Sequence, residues 1–266
     1  MWELYDTLLE GIRESETVED FLIGPRWAVV LSSSGSAGIA PVIVEQTDRF
    51  EFSFQPVRGM PLREVASYVK SWNLMEASLA LAAVNAFYNR SQTESEETED
   101  SLPGSAIHFT EPRRVLPGGR RVRHTFRTFC QEKTSEGTTV LAEPVYQQEE
   151  LAELPGRRKV LRSITQSREY YYSAYRELIP EADRLVLSGK TFVEKTAEPL
   201  IGHAVSNRKE VFLFGPDIPM CPALRQHGIH AVWGFVVDRP QELMQIARVN
   251  MARDAFLRLG HFEALE

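Results

Sequence analysis

The chain has 266 residues, 43% of them hydrophobic and 25% charged, with a formal net charge of -7. This is the make-up of an ordinary globular protein with room for one large core or two domains, and its acidic balance argues against nucleic acid as the main partner. Cys130 and Cys221 stand far apart with no CxxC pair, which argues against a cysteine-rich zinc or iron–sulfur site and fits a reducing cytoplasm.

The opening Met1-Trp2-Glu3 starts an acidic amphipathic segment, not the basic and then apolar run of a signal peptide. Leu4, Leu8, Leu9 and Ile12 predict a short helix. Short strands are expected over Trp27 to Leu31, Gly38 to Val44 and Phe50 to Phe54. The SSSGSAG stretch between the first two reads as a hairpin connection. It lacks the Gly-Lys-Ser/Thr ending of a phosphate-binding loop. Pro61 suits the first turn of a helix through Leu62, Val65, Ala66 and Val69.

The most informative stretch is Lys70 to Asn89, KSWNLMEASLALAAVNAFYN. From Leu74 its apolar residues leave no broad polar face, so the helix is expected to be buried on most sides. It is too short and too interrupted by Glu76, Asn85 and Asn89 to span a bilayer. Ser78 and Asn85 share a face, where a buried amide must find hydrogen-bond partners. Glu76 has two readings. Either it completes a capping box begun by Asn73, or Lys70, Asn73 and Glu76 line a cleft at the helix start, and the first does not exclude the second.

Residues 91–137 differ in kind. SQTESEETED is acidic throughout, and EPRRVLPGGRRVRH carries five arginines around a Pro-Gly-Gly turn. The arginines either hold an anion or neutralise the acidic run before them. From Thr138 short apolar strands alternate with helices, the pattern of a parallel sheet covered on both faces. Five strands are expected: TTVLA, KVLRSI, RLVLSG, EVFLFG and HAVWGFVV. Helices are expected from Arg168 to Ile179, over TFVEKTAEPLIGHAV with a Thr191–Glu194 capping box, over ELMQIARV, and from Asn250 to Leu259. Such sheets bind ligands beyond the carboxyl ends of their strands, near the point where strand order reverses, which puts the candidates at Glu143–Tyr146, Ser163–Ser167, Ser188–Thr191 and Gly215–Cys221. The first such loop, AEPVYQ, has no glycine, which disfavours NAD or FAD bound in the usual dinucleotide mode. Gly189, Lys190 and Thr191 open a helix and can present N–H groups and a hydroxyl to the crevice. Asp217 and Cys221 lie on a proline-rich loop, and Cys221 reads either as a buried small side chain or as a nucleophile or soft ligand.

VKSWNLMEASLALAAVNAFYN and the opening MWELYD, followed by LIPEAD, FVEKT and VFLFGPDIPMCPAL, resemble a family of heavy-metal chelation proteins, over roughly residues 1–90 and 138–249. The resemblance implies an α/β protein: an enolase N-terminal-like α+β domain (1–90), a charged connection (91–137) and a Rossmann-like parallel-sheet domain (138–266). It also implies a site in the cleft between them, with Lys70, Asn73 and Glu76 on one wall and Lys195, Thr196, Gly215, Pro216 and Pro219 on the other. The departures fall on ligand-facing loops. Glu143, Pro144, Val145 and Tyr146 replace a glycine-histidine-aromatic-proline run, Arg162 replaces a glutamate, and Arg168-Glu169 replaces a glycine-aspartate pair.

Two functions follow as expectations. One is a binder, or an enzyme, acting on a small anionic molecule or an organic metal chelate; the other is a non-catalytic interaction protein whose cleft has been altered. The second predicts a closed site with Arg162 paired to Glu143 or Glu169. No cofactor is assigned and no membrane is expected, while homo-oligomerisation is left open. Lys70, Lys190 and Lys195 disfavour a bare divalent ion in the cleft, since like charges repel in a desolvated crevice.

Overall fold

A computed structural model describes residues 2–44, 57–90, 129, 136–144, 155–165, 168–248 and 253–265. Helix α1 (Glu3–Glu10) leads into a three-stranded antiparallel sheet, β1 (Val18–Ile23), β2 (Trp27–Ser32) and β3 (Ala37–Pro41), in that spatial order. Then come α2 (Leu62–Ser67) and α3 (Leu74–Tyr88). The strand expected at Phe50 to Phe54 lies outside the described residues, as does 91–137 apart from Phe129, Glu136 and Gly137. The strand β1 was not foreseen. Its VEDFLI sequence does not alternate cleanly, and only Val18 is fully buried.

α3 is the buried helix the sequence calls for, with every residue from Glu76 to Ala86 buried. It begins as predicted, with Asn73 Oδ1 accepting from the N–H groups of Met75 (3.0 Å) and Glu76 (3.2 Å). Its apolar surface packs on β2 and β3 so closely that a Cβ at Gly38 would lie 2.1 Å from the Ala82 carbonyl oxygen. Only glycine fits there.

The second sheet has seven strands in the order β10-β9-β8-β7-β4-β5-β6. They are β4 (Thr138–Ala142), β5 (Arg157–Arg162), β6 (Tyr170–Tyr171), β7 (Arg184–Leu187), β8 (Glu210–Phe214), β9 (Ala231–Val237) and β10 (Gly260–Leu265). All neighbours are parallel except β9 and β10. The five expected strands are present, and two unforeseen ones form the edges. β6 replaces the start of the helix expected from Arg168. Only a 3-10 turn and α4 (Tyr175–Leu178) follow it. The helix expected over TFVEKTAEPLIGHAV is two helices, α5 (Lys190–Val193) and α6 (Ala197–Ser206), broken where Lys195 turns to φ 62. Gly189 caps α5, and Thr191 Oγ1 donates to the Ser188 carbonyl instead of starting a capping box. α7 (Pro240–Arg248) and the short α8 (Arg253–Phe256) precede β10, and a 3-10 turn (Leu257–Leu259) continues α8, so the expected final helix reaches Leu259 but is followed by a strand.

Strand alternation divides the apolar residues between two cores. Ala28, Val30, Leu185, Leu187 and Leu213 join α1, α2 and α3 in one; Trp27, Val29, Leu31, Phe212, Phe214 and Trp233 form the other with Phe129 and α7. Both cores draw on the first ninety residues and on the seven-stranded sheet.

On β10, His261 lies between two carboxylates, Nε2 2.7 Å from Glu263 Oε1 and Nδ1 3.1 Å from Asp238 Oδ2. The Glu263 bond first, then Asp238, hold its pKa above the ordinary value against partial burial. Such an imidazolium stabilises the fold fully below the unfolded pKa of about 6.5, and the contribution is lost as pH rises through the raised folded value. His261→Gln is therefore expected to lower Tm by about 3 °C at pH 6 and by clearly less at pH 9, in paired melting curves.

Candidate functional site

The sheet reverses direction at one place. The chain adds β5 and β6 on one side of β4, then returns to place β7, β8 and β9 on the other. The carboxyl ends of β4 and β7 therefore flank the switch point, where open parallel sheets usually hold a ligand in a crevice. Glu143 follows β4 and Ser188-Gly189-Lys190 follows β7.

Four side chains meet there. Lys190 Nζ lies 2.6 Å from Glu143 Oε2, 3.2 Å from Glu194 Oε1 and 3.2 Å from Ser163 Oγ. Ser163 donates its hydroxyl to Glu194 (2.7 Å) and its backbone N–H to Glu143 Oε1. Ser188 Oγ donates to the Glu143 carbonyl at 2.5 Å. Glu143 is held at φ 50, a left-handed conformation that favours glycine, and its carboxylate is buried. Burial, then the Glu143 charge, raises the Glu194 pKa, and Lys190 opposes this. Beside them Arg162 pairs with Glu169 (2.8 Å) and donates to the Pro144 carbonyl (2.9 Å). That pairing is the one expected of an altered, closed site. Arg168, like Glu143, is left-handed (φ 72) where the resemblance expects glycine, so both replacements keep a glycine-like backbone while adding charge.

Beneath the crevice lies Asp217. Its side chain is fully buried, and among the described residues neither oxygen has a hydrogen-bond partner. Burial raises its pKa to about 6. The backbone N–H groups of Gly189, Lys190 and Asp217 itself face it and offset part of this without reaching hydrogen-bond geometry, and the Lys190 charge adds to that offset. A Cβ at Gly189 would sit 2.1 Å from the Asp217 carbonyl oxygen, and one at Gly215 would sit 2.3 Å from Asp217 Oδ1. Both glycines are there for close approach.

The loop carrying Gly215, Pro216 and Asp217 is fastened to α3. Asn85 Nδ2 donates to the carbonyls of Asp217 (2.9 Å) and Ile39 (2.8 Å). Asn89 Nδ2 donates to those of Ile218 (2.9 Å) and Phe235 (3.2 Å), and Asn89 Oδ1 accepts from Met220 N–H (2.8 Å). The sequence shows that Asn85 needs partners. Nothing in it says that they lie 132 residues away.

The other candidates take partners outside this cluster. Lys70 pairs with Asp6 near the surface, and Glu76 is buried and accepts from Ser71 Oγ (2.6 Å). Asn73 caps α3. Lys195 donates to the Val193 carbonyl (2.9 Å) and lies 5.8 Å from the centroid of the Tyr5 ring, whose hydroxyl donates to the Phe192 carbonyl (2.9 Å). Thr196 Oγ1 donates to the Thr191 carbonyl at 3.3 Å. Cys221 is buried beside Tyr88, and burial pushes its thiol pKa up, which suits a packed side chain better than a nucleophile. Of the predicted residues, then, Gly189, Lys190, Thr191, Gly215, Pro216 and Asp217 gather at the carboxyl edge. Glu143 and Ser163 come from loops that the sequence reading put at the strand ends, and Glu194, read as a capping residue, is the member that it did not place.

Two family models, both described as "Putative heavy-metal chelation", match residues 5–88 and 161–265. The chain belongs to that family. Its fold is that of two solved relatives. One, from the DUF364 family of Desulfitobacterium hafniense, is a protein of unknown function and 24% identical, covering 100% of this chain and 97% of its own with a TM-score of 0.77. The other, from the same family in Pyrococcus horikoshii and also of unknown function, is 14% identical, covering 99% and 98% with a TM-score of 0.71. No curated protein matches. The heavy-metal chelation family models take in Ser163, Lys190, Glu194 and Asp217, whereas Glu143 falls between them.

The metal that the family description implies is not one the crevice suits as a bare ion. Among the described residues no group of three or more His, Cys, Asp and Glu is arranged to hold one. Glu143 and Glu194 already have an ammonium between them. Among the described residues no helix is long and apolar enough to cross a membrane.

Proposed function

We propose that this chain binds a small organic metal chelate, or the free organic anion, at the carboxyl edge of its seven-stranded sheet. The observation that carries the reading is Lys190, presented by the first turn of α5 at the point where strand order reverses. A ligand anion reaching this edge meets the ammonium and the Ser163 hydroxyl. The metal enters already wrapped in its ligand, and the protein recognises the organic envelope. On this reading the first ninety residues are an enolase N-terminal-like domain bracing a Rossmann-like one, and the protein works in the reducing cytoplasm that its two lone cysteines suit. Ser163 Oγ donates to Glu194 at 2.7 Å, but that carboxylate is already tied to the Lys190 ammonium, so the reading is of binding and not of acyl or phosphoryl transfer.

A second reading has one specific observation in its favour. Arg162 paired with Glu169, together with Lys190 paired with Glu143 and Glu194, leaves the edge self-neutralised, as in an interaction protein whose site has been filled. Native mass spectrometry separates the two. The binding reading expects an added organic mass on the purified wild-type protein, lost in Lys190→Gln/Ser163→Ala. A bare polypeptide mass in both, even after incubation with cell extract, would favour the filled site.

A further inference from the structure

The three oxygens around Lys190 Nζ come from two carboxylates and a hydroxyl, at 2.6, 3.2 and 3.2 Å. An ammonium has three protons to place and finds three acceptors. The same oxygens form part of the shell that a hard or borderline divalent cation takes. We infer that Lys190 is a tethered counter-cation, occupying the position a divalent ion would take between Glu143 and Glu194, and that it sets the site's selectivity against bare ions. The inference rests on the reading of this edge as the binding site and deepens it, by naming the residue that decides in what form metal is admitted.

Burial gives the arrangement its force. The Glu143 and Glu194 side chains are 3% and 11% exposed, so water cannot neutralise them and a fixed positive charge must. The Lys190 side chain is 25% exposed, so its stem reaches the crevice from the solvent side. A bare ion would have to expel the ammonium from between two carboxylates before coordinating either, and until then it faces a like charge in a poorly screened place. Glu194 Oε2 is buried with no hydrogen-bond partner, leaving one acceptor beside the ammonium for an incoming charge. A coordinated metal that brings its own anionic ligands has no such barrier. Its envelope can take over the proton Lys190 gives Ser163 while the Glu143 pair stays intact.

The prediction is that removing the ammonium uncovers a divalent site. Manganese(II) and zinc(II), each alone, are titrated calorimetrically into wild type, Lys190→Ala, Lys190→Arg and the Lys190→Ala/Glu143→Gln double variant. Lys190→Ala is expected to bind both ions at least about tenfold more tightly than wild type, while Lys190→Arg and the double variant show no gain. Melting curves with and without manganese cover the case in which the exposed carboxylates destabilise the single variant. The ion is then expected to raise its melting temperature and to leave that of wild type unchanged. Wild type binding either ion as tightly as Lys190→Ala, a gain that persists in the double variant, or a single variant that manganese neither binds nor stabilises would each overturn the assignment. An organic ligand retained by wild type is read separately by native mass spectrometry. Its absence alongside a metal gain in Lys190→Ala would defeat the binding reading and leave the role of Lys190 standing; its presence without that gain would do the reverse.

Discussion

Asn89→Ala is expected to lower the unfolding free energy by about 4 kcal/mol and Tm by about 10 °C. The side chain is buried at the end of α3 and makes three hydrogen bonds to backbone groups of two other segments. Truncation leaves the Met220 N–H and two carbonyl oxygens facing a buried void. Each orphaned group costs about 1–3 kcal/mol, and the carbonyls least, since each has a second lone pair. The loss also frees the Gly215–Cys221 loop, so exchange of the Met220 amide should accelerate along with global destabilisation. Chemical denaturation of Asn89→Ala beside Asn207→Ala, whose amide bonds only to the His203 carbonyl of its own helix, checks the size. Equal and small losses in both variants would mean that Asn89 does not fasten the loop.

Asp217→Asn is expected to stabilise the protein by up to about 3 kcal/mol at pH 8 and by little at pH 4. The wild-type carboxyl has a folded pKa of about 6 against an ordinary 3.8, with burial the largest cause. Between those values the folded state holds a proton that the unfolded state has released, so wild-type stability falls as pH rises from about 4 to about 6 and is flat above. Asparagine carries no charge to desolvate and removes that slope. Denaturant melts of both proteins from pH 4 to pH 8 should therefore diverge with rising pH. Parallel curves, or a variant less stable at pH 8, would show that Asp217 is not held as a strained anion at neutral pH. The stability lost to an ionised carboxylate buried under the carboxyl edge of the sheet is the kind of cost that proteins retain at working sites.

What could be read in the sequence follows from how local each signal is. The buried helix α3 was legible because apolar residues on every side of a helix admit one environment, and its Asn73 cap because the capping contact spans three residues. The parallel core strands were legible as short apolar runs. The edges were not. β6 has two residues, and β10 follows a helical turn with no turn dipeptide to announce it. The break at Lys195 was hidden because Thr191 and Glu194 have capping-box spacing, yet Thr191 turns inward to Ser188. The site was half legible. Lys190 and Asp217 stand next to glycines at strand ends, which is a signal. Glu143 takes a left-handed backbone that a glutamate gives no reason to expect, and Ser163 and Glu194 are brought to Lys190 only by the sheet's strand order. The resemblance placed Lys70 and Glu76 with Lys195 across a cleft. The structure seats Lys70 on Asp6 and Glu76 on Ser71, while Lys195 lies against Tyr5.

The most direct test of the central claim is a crystal structure of the protein purified with whatever organic ligand it retains, with diffraction collected at the absorption edge of any metal found by elemental analysis. The account predicts ligand density at the carboxyl edge, with an anionic group within hydrogen-bond distance of Lys190 Nζ and any anomalous peak inside the ligand, coordinated by none of Glu143, Glu194 or Asp217. A metal bound directly by Glu143 and Glu194 with Lys190 turned away, or ligand density remote from this edge, would contradict it.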